Sequence, residues 1–236
     1  MERLDKLLAS QGMLSRREVR ELIAAGRVTV EGGVEKRPEH KVSGQETIAV
    51  DGLPVTVQKT LTLMLHKPRG YVSAARDARD KTVLELVPPQ YRRKGLFPAG
   101  RLDKDTTGLM ILADDGALAH EILAPKRHVP KRYRVTVDLP LTEEMVTRFA
   151  EGIALKDGMC RPARLEILSE HTGIVTLQEG RYHQIKRMFG CCGAAVTALH
   201  RLSMGALALD EALAPGECRP ITAEEQALLR QQRVPE

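Results

Sequence analysis

An α+β fold in two unequal parts follows from three features of the sequence. Its 236 residues are 42% apolar and 28% charged, enough for one large core and a second small one. Apolar residues recur at helical spacing near the start, whereas short alternating runs bounded by Gly, Asp and Pro dominate after about residue 60. In that later part strands outnumber helices and do not alternate regularly with them. This predicts a mixed, largely antiparallel sheet with helices packed on it. The change of texture puts a boundary near Gln58–Lys59, giving domains 1–59 and 60–236.

In the first domain, Leu4, Leu7 and Leu8 predict a helix that ends at Gly12. Ser15 and Glu18 form a capping box for a second helix. Val19, Leu22 and Ile23 are its buried stripe, and Gly26 is its stop. Arg27-Val28-Thr29-Val30 alternates as a strand into the turn Glu31-Gly32-Gly33, and Ile48 and Val50 alternate before Asp51-Gly52. Arg16, Arg17, Arg20 and Arg27 lie on or just after the second helix. Its apolar side must face inward, so they are forced outward as a rigid basic face. That suits nucleic-acid phosphates, and a merely solvated surface is the competing reading.

In the second domain, strands are predicted at Leu61–Leu65, Leu109–Leu112, Tyr133–Val137, Ala163–Leu168 and Ile174–Leu177. The second of these is closed by a turn at Asp114-Asp115-Gly116. Helices are predicted at 142–151 after the cap Thr142, at 183–192, and after Thr222, where Glu225 completes a second capping box. The 183–192 helix should bury Ile185, Met188, Phe189 and Cys192, and both Cys191 and Cys192 are expected in the core.

Composition excludes several function classes. The runs Leu61–Leu65 and Leu109–Ala113 fall far short of the roughly 20 apolar residues a membrane-spanning helix needs. Met1 to Lys6 has mixed charge, unlike a secretory signal. Four cysteines at 160, 191, 192 and 218 form neither a C-x-x-C pair nor a disulfide lattice, so a reduced, cytoplasmic location is expected with no membrane partner. The net charge of +5 is unevenly spread: residues 61–139 hold 15 basic and 9 acidic groups, whereas 140–236 hold 11 and 13. The clusters Arg92-Arg93-Lys94 and Lys126 through Arg132 point to a phosphate-bearing partner or, equally, to a solubilising face.

Three stretches carry chemistry. In Gly100-Arg101-Leu102-Asp103-Lys104-Asp105-Thr106-Thr107-Gly108, two glycines bracket a polar loop that leads into a buried strand. Asp103, flanked by Arg101 and Lys104, is expected to be ionised, as a nucleophile or base would be. A metal pair of Asp103 and Asp105 lacks supporting ligand spacing, and a purely structural loop stays open. In Gly180-Arg181-Tyr182-His183-Gln184-Ile185-Lys186-Arg187, a glycine-started helix should offer an anion its N-terminus and the side chains of Arg181, Lys186 and Arg187. Lys186 is expected at the cleft edge, and His183 in a hydrogen-bonded structural role, with no partner spaced for zinc. Tyr133, among the cations of Lys131-Arg132-Tyr133-Arg134, is either a stacking platform for a base, worth about 1–3 kcal/mol, or an ordinary strand tyrosine.

Together these stretches resemble the RsuA-type family of ribosomal RNA pseudouridine synthases. The resemblance rests on Lys67-Pro68-Arg69-Gly70, Gly100-Arg101-Leu102-Asp103 with Thr106 to Leu109, and Lys131-Arg132-Tyr133. It extends to Gly180 through Phe189, Leu199-His200-Arg201-Leu202 through Gly205, and Leu213-Ala214-Pro215-Gly216-Glu217. Residues 1–60 resemble the αL-type (ribosomal protein S-four-like) RNA-binding module. The resemblance implies a pseudouridine synthase domain with a central cleft, and Asp103 as the essential aspartate. It implies Tyr133 as the tyrosine stacking on a flipped base, Lys186 as the cation paired with the carboxylate, and Arg101 as an arginine entering the RNA helix. No cofactor and no metal are implied. The version of Tyr182 to Phe189 present here is similar to that of the small-subunit branch, so 16S rRNA or a small-subunit assembly intermediate is the expected partner of a monomeric enzyme. RNA contacts are assigned to Arg16, Arg17, Arg20, Arg27, Arg101, Lys131, Arg181 and Arg187. A 23S rRNA site, a non-catalytic RNA-binding assembly protein, and a metal nuclease using Asp103, Asp105 and Asp114 are the rivals.

Overall fold

The structure is a computed structural model. It describes the whole chain except Gly12, Met13, Thr56, Gln58, Lys59, Pro125, Lys126, His128 and Glu236. The expected helix stop at Gly12, the expected boundary at Gln58–Lys59, and Lys126 and His128 of the basic cluster therefore lie outside the described residues. The chain forms two compact units, residues 1–61 with 87–96, and residues 62–86 with 97–236.

In the first unit, helices Leu4–Ser10 and Arg16–Ala24 pack on a four-stranded antiparallel sheet in the order 33–34, 28–30, 48–50, 53–55. The second helix starts as its sequence dictates: Glu18 N–H donates to Ser15 Oγ, and Ser15 N–H donates back to the Glu18 carboxylate. Leu4, Leu7, Leu8, Val19, Ile23, Val28, Val42 and Ile48 close into one core. The loops Glu31-Gly32 and Asp51-Gly52 both have positive φ at both residues, the mirror-image turn that matches strand twist in tight hairpins.

In the second unit, a mixed sheet runs in the order 164–169, 172–177, 131–137, 196–204, 107–113, 62–67, 218–220. All neighbours are antiparallel except 196–204 beside 107–113. One core gathers Met64, Leu109, Ile111, Leu118, Ile122 and Met204. Elsewhere Phe149 and Phe189 bring helices Glu143–Glu151 and Gln184–Cys191 together, their rings 4.8 Å apart.

Several expectations are corrected. Asp114-Asp115-Gly116 does not simply close a strand: Asp115 caps a helix, Gly116–Leu123, by accepting from the amides of Ala117 and Leu118. Cys191 is exposed and Cys192 only half-buried, because the helix ends at Cys191 and Cys192 stands beyond the apolar stripe it would have continued. Gly180 does not start that helix, which begins at Gln184 after a left-handed His183.

Candidate active site

Four neighbouring strands carry Lys67, Gly108, Arg201 and Tyr133 in register. Lys67 faces Gly108, Gly108 faces Arg201, and Arg201 faces Tyr133. Gly108 has φ +102°, and a Cβ there would sit 2.3 Å from the Arg201 carbonyl oxygen and 2.6 Å from its nitrogen. Only glycine lets the strands approach so closely where the polar loop enters the sheet. That loop is tied down by the Lys67 ammonium, which is fully buried and donates to the carbonyls of Pro68, Asp103 and Thr106 at 3.1, 3.0 and 2.8 Å. Ser73 Oγ donates to Leu102 C=O and accepts from Leu102 N–H, and Gly70 N–H donates to Lys104 C=O.

The fixed loop presents Asp103 to the start of the Gln184–Cys191 helix. Lys186 Nζ lies 3.0 Å from Asp103 Oδ2 and 2.6 Å from Asp105 Oδ1, and His183 Nε2 lies 3.3 Å from Asp103 Oδ1. Ile185, Met188 and Phe189 anchor the helix in the core, which leaves Lys186 at the edge with about a quarter of its side chain exposed. Burial works against the Lys186 charge, but its hydrogen bonds to Asp105 and Asp103 outweigh burial and raise its pKa. The hydrogen bond from Lys186 lowers that of Asp105. Burial pushes Lys67 down to about 8 against the pull of Asp105 and Asp103. Arg201, 2% exposed, donates from Nε to Leu109 C=O. Two carboxylates are thus surrounded by an excess of cations, an arrangement suited to an anionic substrate and to negative charge that develops during reaction.

Residues 61–190 match the family model described as RNA pseudouridylate synthase, and residues 2–48 match the S4 domain. An uncharacterized RNA pseudouridine synthase of Bacillus subtilis, YtzG, is 43% identical over 97% of this chain and 98% of its own. The Escherichia coli K12 ribosomal small subunit pseudouridine synthase A is 41% identical over 94% and 97%. A crystal structure of a pseudouridylate synthase superposes with a TM-score of 0.68 at 37% identity, covering 97% of this chain and 100% of that one. This chain belongs to the RNA pseudouridylate synthase family. The synthase carries an N-terminal S4 domain, and among its described residues no helix is long and apolar enough to cross a membrane.

Of the sequence-predicted residues, the synthase brings Asp103 and Lys186 into contact. Tyr133, 8% exposed, sits on the 131–137 strand, separated by one strand from the 107–113 strand that Asp103 precedes. Arg101 is exposed on the loop. Lys131 is half-buried, donates to Val129 C=O, and is pushed down to about 8 by burial with Arg201 adding to it. Arg181 and Arg187, each with about a quarter of its side chain exposed, both have acidic partners within the unit: Glu179 and Asp157 for Arg181, Asp157 for Arg187. Arg181 donates to the carbonyls of Asp157, Gly158 and Met159, and Arg187 pairs with the Asp157 carboxylate and donates to Tyr182 C=O. Both thereby bind the 154–159 hairpin through residues 157 to 159. In the S4-type unit, Arg16, Arg17, Arg20 and Arg27 are exposed but each has an acidic neighbour: Asp5 for Arg16 and Arg20, Glu21 for Arg17, Asp51 for Arg27.

Sequence reasoning assigned no role to Lys67 or Arg201 and set His183 apart from the site. The available signal for Lys67 was a cation ending an apolar strand, where both faces are covered. Arg201 gave the same sign within Leu199 to Met204. His183 carried no such signal, because its position depends on a left-handed backbone, φ 48°.

Proposed function

We propose that the synthase isomerises a uridine of 16S ribosomal RNA to pseudouridine, with Asp103 as the reacting carboxylate. The observation that carries this reading is the Asp103–Lys186 contact: an aspartate on a rigid loop, met by an ammonium from a separate helix. Relatives named for the ribosomal small subunit, 40–42% identical over nearly the full chain, support the choice of RNA.

The uridine must first leave its stack, at a cost of a few kcal/mol. Asp103 then assists cleavage of the N1–C1′ bond, the uracil turns, and C5 bonds to C1′. N1 gains a proton and C5 loses one, so the product is an isomer and no co-reactant is consumed. Lys186 offsets the cost of holding the carboxylate in a desolvated cleft, and Tyr133 stacks on the freed uracil. Lys67, Lys131 and Arg201 favour the negative charge that the departing uracil takes on. Arg101, exposed on the same loop as Asp103, contacts the RNA in this scheme. The S4-type unit grips RNA beyond the cleft, and the enzyme acts as a cytoplasmic monomer on rRNA or an assembly intermediate. No cofactor takes part in this scheme.

Asp103→Asn is expected to bind a small-subunit rRNA fragment nearly as the wild type does and to form no pseudouridine. Lost binding with residual turnover kept would contradict the assignment. The nuclease reading requires a cation between Asp103 and Asp105, and the Lys186 ammonium already occupies that place. Full isomerase activity is therefore expected in EDTA.

A further inference from the structure

Tyr182 is 76% exposed, in a chain whose aromatic complement is four tyrosines, three phenylalanines and no tryptophan. It is not loosely displayed. Its ring stacks on His183, centroids 3.8 Å apart and planes 19° from parallel. His183 is in turn fixed by its contact with Asp103 and by a left-handed backbone that a histidine adopts only at some cost. Arg187 donates to the Tyr182 carbonyl and holds the backbone from below. One face of the tyrosine is therefore occupied by imidazole, while the ring as a whole stays largely open to solvent. That open ring stacks directly on the residue that touches the reactive carboxylate.

Extruding a uridine breaks the stack on both sides of it and leaves a neighbouring base with a bare π-face. We propose that Tyr182, held flat by His183, is a docking platform on which a nucleotide flanking the target uridine stacks, and that it contributes to binding the extruded form of the RNA. The proposal rests on the isomerase reading of the same site. Stacking on an aromatic side chain tolerates any base, so Tyr182 adds affinity and register and does not itself read sequence. His183 acts as a positioning residue, since it orients the platform relative to Asp103.

The test uses the full-length enzyme and a small-subunit rRNA fragment, either intact or with an abasic site at one or the other nucleotide flanking the target. With intact RNA, Tyr182→Ala should raise KM roughly tenfold or more and leave kcat within about twofold, and Tyr182→Phe should restore the wild-type KM. One abasic substitution should raise the wild-type KM by a similar factor and add little further in Tyr182→Ala, because both changes remove the same contact. Tyr182 is exposed enough that its truncation leaves the fold intact, which circular dichroism checks. Equal KM values for wild type and Tyr182→Ala, or fully additive effects of the alanine and both abasic sites, would overturn the proposal while turnover persists. No turnover of the intact fragment by wild-type enzyme would instead overturn the isomerase reading, and this proposal with it.

Discussion

At the scale of single residues, Lys186 is the group whose removal should be felt most after Asp103. Its ammonium bridges two carboxylates, so Lys186→Met leaves Asp103 and Asp105 facing each other without the cation. We expect kcat to fall by about 100-fold or more with RNA affinity changed only a few-fold, measured by single-turnover and binding assays. The pH dependence follows from the shifts around the bridge. Lys186 is raised, so its stabilising contribution is complete below its ordinary 10.5 and is lost only above that. Asp105 is lowered, so its contribution is complete above 3.8 and is lost as pH falls further. Between those limits the Lys186–Asp105 pair does not titrate. The individual groups were legible in the sequence, Asp103 from its cationic flanks and Lys186 from its place beside Ile185, Met188 and Phe189. Their contact was not, because it joins a loop and a helix far apart in the chain that only the folded sheet brings together. The contacts of Arg181 and Arg187 with residues 157 to 159 were likewise not legible, because they join segments that spacing does not relate.

At the scale of elements, the loop carrying Asp103 depends on Lys67 and Gly108. Lys67→Met removes the donor shared by several loop carbonyls, and kcat is expected to drop by about 100-fold as Asp103 loses its fixed position, with secondary structure kept. Stability should respond in the opposite sense with pH. Folded Lys67 releases its proton near 8 and the unfolded side chain near its ordinary 10.5, so the unfolded state binds more protons between those values and stability rises with pH there. Lys131 adds a like increment, so Lys67→Met should reduce the rise in urea resistance rather than abolish it. Gly108→Ala forces a Cβ against the Arg201 backbone at a left-handed φ and should cost about 3 kcal/mol or more, read as a lowered thermal midpoint. The capped helices and type I′ hairpins were legible because their signals are local: Ser15 with Glu18, Thr222 with Glu225, Glu31-Gly32, Asp51-Gly52. The Gly116–Leu123 helix was hidden because Asp115-Gly116 serves equally as turn and cap. The central 196–204 strand was hidden because Thr197, His200, Arg201 and Ser203 interrupt its apolar pattern.

At the scale of the whole molecule, we propose that the two units divide the work between chemistry and grip. The basic surface of the S4-type unit is not uniform. Arg17 and Arg27 are each matched one to one with Glu21 and Asp51, whereas Arg3, Arg16 and Arg20 converge on the single buried carboxylate of Asp5. Burial pushes Asp5 up, but hydrogen bonds from Arg3 and Arg16 prevail and bring it to about 2. At that cluster three guanidiniums thus face one carboxylate. Arg16→Ala with Arg20→Ala should weaken RNA binding and flatten its salt dependence by about two counterions, while Arg17→Ala with Arg27→Ala should change the slope little. Equal slopes for the two double variants would remove the cluster from the interface. A chain with S4-type and synthase parts was legible from motif order alone. The association of residues 87–96 with the N-terminal unit was not, since nothing local in Pro88-Pro89-Gln90-Tyr91 names its neighbours. The most direct test of the central claim maps pseudouridine chemically across the small-subunit rRNA of cells lacking this gene, complemented with wild type or with Asp103→Asn. One modified position should vanish in the deletion, return with the wild type, and stay absent with Asp103→Asn. An unchanged small-subunit map in the deletion, or a position restored by Asp103→Asn, would contradict the account.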